Sequence, residues 1–100
     1  MAKLAESAQG NMLFEDGSIA MNHDKGLSQE EQSQEFKRVQ RDLIQMYVDS
    51  ALREGGGNGI KDVESYLYKI APGFSHIAIE TDFDGVPYYR AMWKDDKKAK

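Results

Sequence analysis

Residues 28–54 constrain this chain more than any other stretch, because two independent patterns there demand the same helix. Ser28-Gln29-Glu30-Glu31 fits a capping box, in which the serine hydroxyl accepts the N–H of the glutamate and the glutamate side chain returns to the serine N–H. Beyond it, Phe36, Val39, Leu43, Met46, Tyr47 and Ala51 recur at spacings of three and four, and Ile44, Val48 and Leu52 widen the stripe. Lys37, Arg38, Arg41, Asp42, Asp49 and Arg53 make the wet face, with Arg38–Asp42 and Asp49–Arg53 as opposite charges four residues apart. Glycines from Gly55 onward close the segment. The pattern predicts a helix over 29–54.

Around that helix the chain reads as short strands and turns. Asp16-Gly17 stands between Met12-Leu13-Phe14 and Ile19-Ala20-Met21, a hairpin signal, since a two-residue type I′ turn needs positive φ at both central positions. After the connector Gly55-Gly56-Gly57-Asn58-Gly59, the residues Ile60, Val63, Leu67 and Ile70 form a second helical stripe over 60–71, ended by Pro72-Gly73. Phe74 to Thr81 then reads as a strand, Asp82-Phe83-Asp84-Gly85 as a turn, and Val86 to Trp93 as the returning strand, with Pro87 at its start or at an edge. Ile77 and Ile79 share one strand face and are expected in the core. His76, Ala78 and Glu80 share the other. The order ββααββ predicts an α+β fold, a small antiparallel sheet of two hairpins packed against two helices. Residues 1–11, small and polar without a period, are expected to be a disordered lead. Residues 12–94 then form a single domain, and 95–100 a basic solvated tail.

Composition narrows the chemistry. The chain has 100 residues, 40% apolar and 30% charged, within the globular range for one domain. It has no cysteine and two histidines, His23 and His76, which excludes disulfides, thiolate zinc sites, a cysteine nucleophile and a multi-histidine metal site on one chain. No apolar run approaches the roughly 20 residues that span a bilayer, and the first residues lack the apolar stretch of a secretory signal. These features point to a cytoplasmic protein that needs no cofactor and contacts no membrane.

The charge is −4 overall, from 13 basic and 17 acidic residues, and it is polarised. Segment 54–87 carries Glu54, Asp62, Glu64, Glu80, Asp82 and Asp84 against only Lys61 and Lys69. Segment 88–100 carries Arg90, Lys94, Lys97, Lys98 and Lys100 against Asp95 and Asp96. A row of carboxylates on a compact domain can imitate DNA phosphates and occupy the groove of a basic, nucleic-acid-binding protein, with electrostatic steering toward it. The leading expectation is therefore a non-catalytic regulator or inhibitor that works through this acidic body. Compact acidic inhibitors of this DNA-mimic kind are common among phage-encoded proteins.

Two other readings compete. Tyr88, Tyr89 and Trp93, interleaved with Arg90, Lys94, Lys97 and Lys98, have the aromatic and cationic composition of a single-stranded nucleic-acid binder, although one side of that strand must pack as core. Glu80, Asp82 and Asp84 alternate and could hold a divalent cation for metal-assisted hydrolysis, yet the segment lacks the later glutamate of a calcium loop. Gly55 to Gly59 lacks the Lys-Ser/Thr ending of a phosphate-binding loop and follows a helix rather than a strand. His76 shares its strand face with Glu80, four residues on, but no nucleophile is evident in sequence beside it.

Overall fold

A computed structural model of the chain describes residues 2–22, 26–55 and 59–95, with backbone only at 54 and 55. Seven elements follow in order: β1 (Lys3–Glu6), β2 (Met12–Phe14), β3 (Ile19–Ala20), α1 (Gln29–Gly55), α2 (Ile60–Ile70), β4 (Phe74–Thr81) and β5 (Pro87–Trp93). The fold is α+β, with two helices and two antiparallel sheets, β1-β2-β3 and β4-β5. From Met12 onward the order is the expected ββααββ. Packing divides the chain into two compact units, Met1–Tyr47 and Val48–Lys100. The single domain expected over 12–94 leaves this division out, because the boundary falls inside α1, where the helical period runs on without a break.

The first unit corrects the reading of residues 1–11 as a disordered lead. Lys3–Glu6 form β1 and pair antiparallel with β2, with a bulge between Lys3 and Ala5. The bulge breaks the two-residue alternation, and four residues are too few to show a period without it. The turns of this unit also correct the hairpin geometry expected at Asp16-Gly17. Ser7 N donates to Asn11 O and Gly10 N to Ser7 O, with Gly10 at φ +90°. The same pair of bonds closes Phe14–Ser18 around Gly17 at φ +91°, and Asp82–Val86 around Gly85 at φ +79°. All three hairpins therefore use a three-residue loop, a turn of two residues followed by a left-handed glycine, in place of a type I′ turn. Asp16 and Asp84 keep negative φ, since no described non-glycine residue has a positive one.

Buried Asn11 ties this unit's loops together. Its Oδ1 accepts the N–H of Asn22 at 2.6 Å, and the Asn22 amide nitrogen in turn donates to Gln9 O at 3.0 Å. Leu13, Val39, Leu43 and Ile44 supply its buried apolar side chains. The capping box at Ser28 is formed as expected: Glu31 N donates to Ser28 Oγ at 3.1 Å and Ser28 N to Glu31 Oε1 at 2.9 Å. Ser28→Ala removes that acceptor. We expect it to lower stability by about 1 kcal/mol, read as a fall in the thermal midpoint of helical circular dichroism. The expected apolar stripe of α1 is rotated in fact, for Phe36 and Met46 are exposed while Val39, Leu43, Ile44, Val48 and Leu52 are buried.

In the second unit, Val48, Leu52, Leu67, Ala71, Phe74, Ile77, Ala91 and Trp93 are buried. The register slips between Phe74, opposite Trp93, and His76, opposite Met92, so Ser75 is an extra residue on β4. That bulge shifts the side-chain phase by one. Phe74 and Ile77, three apart, consequently both turn inward, where strict alternation would separate them. Phe74 stands edge-on to Trp93 with ring centroids 5.9 Å apart, and Tyr68 of α2 lies 5.3 Å from Phe74. Ile79 shares Ile77's face but is 60% exposed, which corrects its placement in the core: the strand runs past the side chains that cover it.

Candidate functional site

The β4–β5 hairpin collects most of the residues that sequence reasoning singled out, and pairing sorts them onto two faces. Ile77–Ala91 and Ile79–Tyr89 are opposite each other on the inner face. His76–Met92, Ala78–Arg90 and Glu80–Tyr88 are opposite each other on the outer one. The rival acidic and aromatic-basic patches thus meet on a single face. There Tyr88 Oη donates to Glu80 Oε1 at 3.0 Å, and Arg90 Nη1 lies 3.4 Å from the same oxygen. The hydrogen bond to Glu80 is the main cause that holds the Tyr88 hydroxyl above its ordinary pKa.

Beyond this cluster the hairpin ends in a tightly bonded tip. Asp82 N donates to Val86 O at 3.1 Å and Gly85 N to Asp82 O at 3.0 Å. The Asp82 carboxylate accepts two further backbone donors, Asp84 N at 2.9 Å and Val86 N at 3.0 Å. Four hydrogen bonds within five residues fix the loop's backbone. Phe83 at its apex is fully exposed, Val86 and Tyr88 beside it are exposed as well, and so is Ile79 on the inner face. Thr81, Asp82, Phe83 and Tyr88 line a shallow groove there.

The acidic body is less uniform than its sequence. Asp62 is exposed in the first turn of α2, and Asp84 is exposed at the tip. Glu80 is engaged by Tyr88 and Arg90. Glu64 is half-buried and spends its carboxylate on the fold: Oε2 accepts the N–H of Ile77 at 2.7 Å, joining α2 to β4 just past the bulge. The side chain of Glu54 lies outside the described residues. Among the described residues, no cation is paired with Asp62, Asp82 or Asp84.

The aromatic-basic patch is divided. Trp93 is buried against Phe74 and offers no ring face to a base, which corrects its placement on a binding surface. Tyr89 is half-buried on the inner face, and Arg90 is held by Glu80. Lys94 is exposed, while Lys97, Lys98 and the rest of 96–100 lie outside the described residues, as do His23 and Gly56–Asn58 of the connector. Sequence reasoning did not single out Phe83, Ile79 or Val86 as a surface. Phe83 at a turn position, with no strand partner to cover it, was the available signal.

For the chemical readings, the geometry is specific. No group of three or more His, Asp or Glu side chains among the described residues is gathered closely enough to hold a metal ion, and Asp82 turns its carboxylate onto its own loop. Ser75 Oγ lies 2.9 Å from His76 Nδ1. This is a contact between chain neighbours on an exposed bulge. Two grooves of this unit, along Asp49, Arg53 and Pro87 to Tyr89 and at the hairpin tip, include neither residue. No helix among the described residues is long and apolar enough to cross a membrane. Comparison with protein-family models, curated proteins and solved structures finds no match.

Proposed function

We propose that this protein is a non-catalytic binding protein that occupies the surface of a basic partner protein, in the manner of an inhibitor that fills a cationic groove. One observation carries the reading: Asp82 and Asp84 stand on an exposed, hydrogen-bonded loop with no cation paired to them among the described residues. Carboxylates on a fixed backbone with no cation beside them raise the local negative potential and complement a cationic surface. Nucleic-acid-binding proteins offer such surfaces, which is why they are the partner class we favour.

The test needs charge changes that spare the fold. Glu64 and Asp82 do not qualify, because each holds backbone N–H groups. Asp62 and Asp84 do. The chain is immobilised and exposed to nuclease-treated lysate of the cells that naturally make it. Retained protein is then titrated against wild type and the Asp62→Lys/Asp84→Lys double variant over a salt series. We expect the double variant to bind at least about tenfold more weakly. We also expect wild-type association to slow as salt rises and the screening length falls to about 10 Å at 0.1 M. Equal binding by both chains, or recovery of nucleic acid without protein before nuclease treatment, overturns the reading.

A further inference from the structure

We infer that Phe83 is the anchor of the partner interface, the β4–β5 tip acting as a preformed plug whose ring enters an apolar socket rimmed by cations on a basic protein. This inference rests on the binding reading above and adds to it the residue and the shape of the contact.

The first ground is that Phe83 contributes nothing visible to the fold. Its side chain is fully exposed, and its position in the loop places no demand on residue type. The hydrogen bonds of the turn come from Asp82, from Gly85 in its left-handed conformation and from main-chain groups. A polar residue at 83 would leave every one of them intact. A large aromatic side chain there carries only a solvation cost in the free protein, and a partner that buries it relieves that cost.

The second ground is that the loop is already rigid. An anchor on a flexible loop loses conformational freedom on binding, whereas the Asp82–Val86 turn has its backbone fixed by internal bonds before any partner arrives. Interface anchors of this kind are exposed aromatic residues surrounded by contacts that exclude water. Tyr88, which lines the tip groove with Phe83, and Val86, which closes its turn, are exposed beside the ring and supply that surround.

The third ground selects the occupant. Asp82 and Asp84 flank the ring directly in sequence, and Glu80 sits at the base of the tip with its charge matched by Arg90. An apolar ring between carboxylates is repelled by an acidic socket and poorly suited to a wholly apolar one, where desolvated carboxylates go unpaired. A socket bordered by lysine or arginine satisfies both parts. A second copy of this chain is an outcome of the test, and a crosslink that joins two copies overturns the basic-partner socket.

The experiment uses the full chain with a photo-crosslinking residue, p-benzoylphenylalanine, in place of exposed Ile79 on the inner face, outside that surround, which leaves Phe83 free to bind. It is irradiated in nuclease-treated lysate of the cells that naturally make the protein. Unlabelled wild-type, Phe83→Ala and Asp62→Lys/Asp84→Lys chains then compete for the crosslink. Unchanged Trp93 fluorescence and thermal midpoint confirm that each competitor is folded. We expect one basic protein to be crosslinked. The wild-type chain should compete it away, while Phe83→Ala should need roughly ten- to a hundredfold more protein to do so. If Phe83→Ala competes as well as wild type, the anchor is overturned, whether or not the charge-reversed chain fails. If only the charge-reversed chain competes normally, the anchor stands and the basic-partner reading falls. A crosslink to an acidic protein, or one that the wild-type chain does not displace, overturns the plug altogether.

Discussion

Phe74→Ala should lower the unfolding free energy by about 3–5 kcal/mol, the range for emptying a buried aromatic site. Phe74 is 2% exposed and touches both Trp93 and Tyr68 with its ring, so its removal leaves a cavity bordered by strand and helix. Ile79→Ala, two residues past Ile77 on the same strand face, should cost less than about 1 kcal/mol because most of its side chain is already in water. Chemical denaturation followed by the fluorescence of Trp93, the chain's single tryptophan, compares the two directly, with circular dichroism as a second probe for the Phe74 variant. An Ile79 effect as large as that of Phe74 would mean that the inner face of β4 extends further under cover than the structure shows.

Glu64→Ala should cost about 1.5–3 kcal/mol, the range for losing a hydrogen bond to a charged acceptor and leaving its donor without one. The donor is the Ile77 amide at 2.7 Å. In an antiparallel pair, alternate residues direct their N–H groups away from the partner strand, and Ile77 is such a residue, so α2 must satisfy it. Glu64→Gln keeps an acceptor oxygen and should recover most of the loss. Native-state hydrogen exchange at Ile77 gives a sharper readout: protection there should collapse in the alanine variant and largely survive in the glutamine one. If Glu64 were an ordinary surface carboxylate, both substitutions would stay within about 0.5 kcal/mol of wild type. The same bond explains why reversing Glu64 makes a poor test of surface charge.

Much of the local structure was legible because its determinants lie within a few residues of one another. The Ser28–Glu31 box, the stripes of both helices and the arms of both Asp-Gly hairpins depend on contacts no more than a turn or a loop apart. β1 was missed for the complementary reason. Its four residues carry no period once a bulge interrupts them, and they become a strand only by pairing with β2. Gly10 was the overlooked signal, since it holds the same place in its loop as Gly17 and Gly85 do in theirs.

At the candidate site the polarity of segment 54–87 could be read directly, but the use of each carboxylate could not. Glu64 serves a backbone donor thirteen residues away, Glu80 a tyrosine and an arginine across the sheet, Asp82 its own loop, and Asp84 none of these. Charge is a property of each side chain alone, whereas engagement depends on which element lies opposite.

By itself, then, the sequence determined where both helices and the two Asp-Gly hairpins form and how charge is distributed along the chain, because hydrogen-bonding and apolar spacing act over one turn. Tertiary structure decided which residues are buried and which remain available. The bulge at Ser75 turned Phe74 inward beside Ile77, the end of the cover left Ile79 in water, and Trp93 went to the core while Phe83 stayed outside it. The reason is physical: burial is set by what packs against a face, and a single extra residue in a strand reverses every face that precedes it.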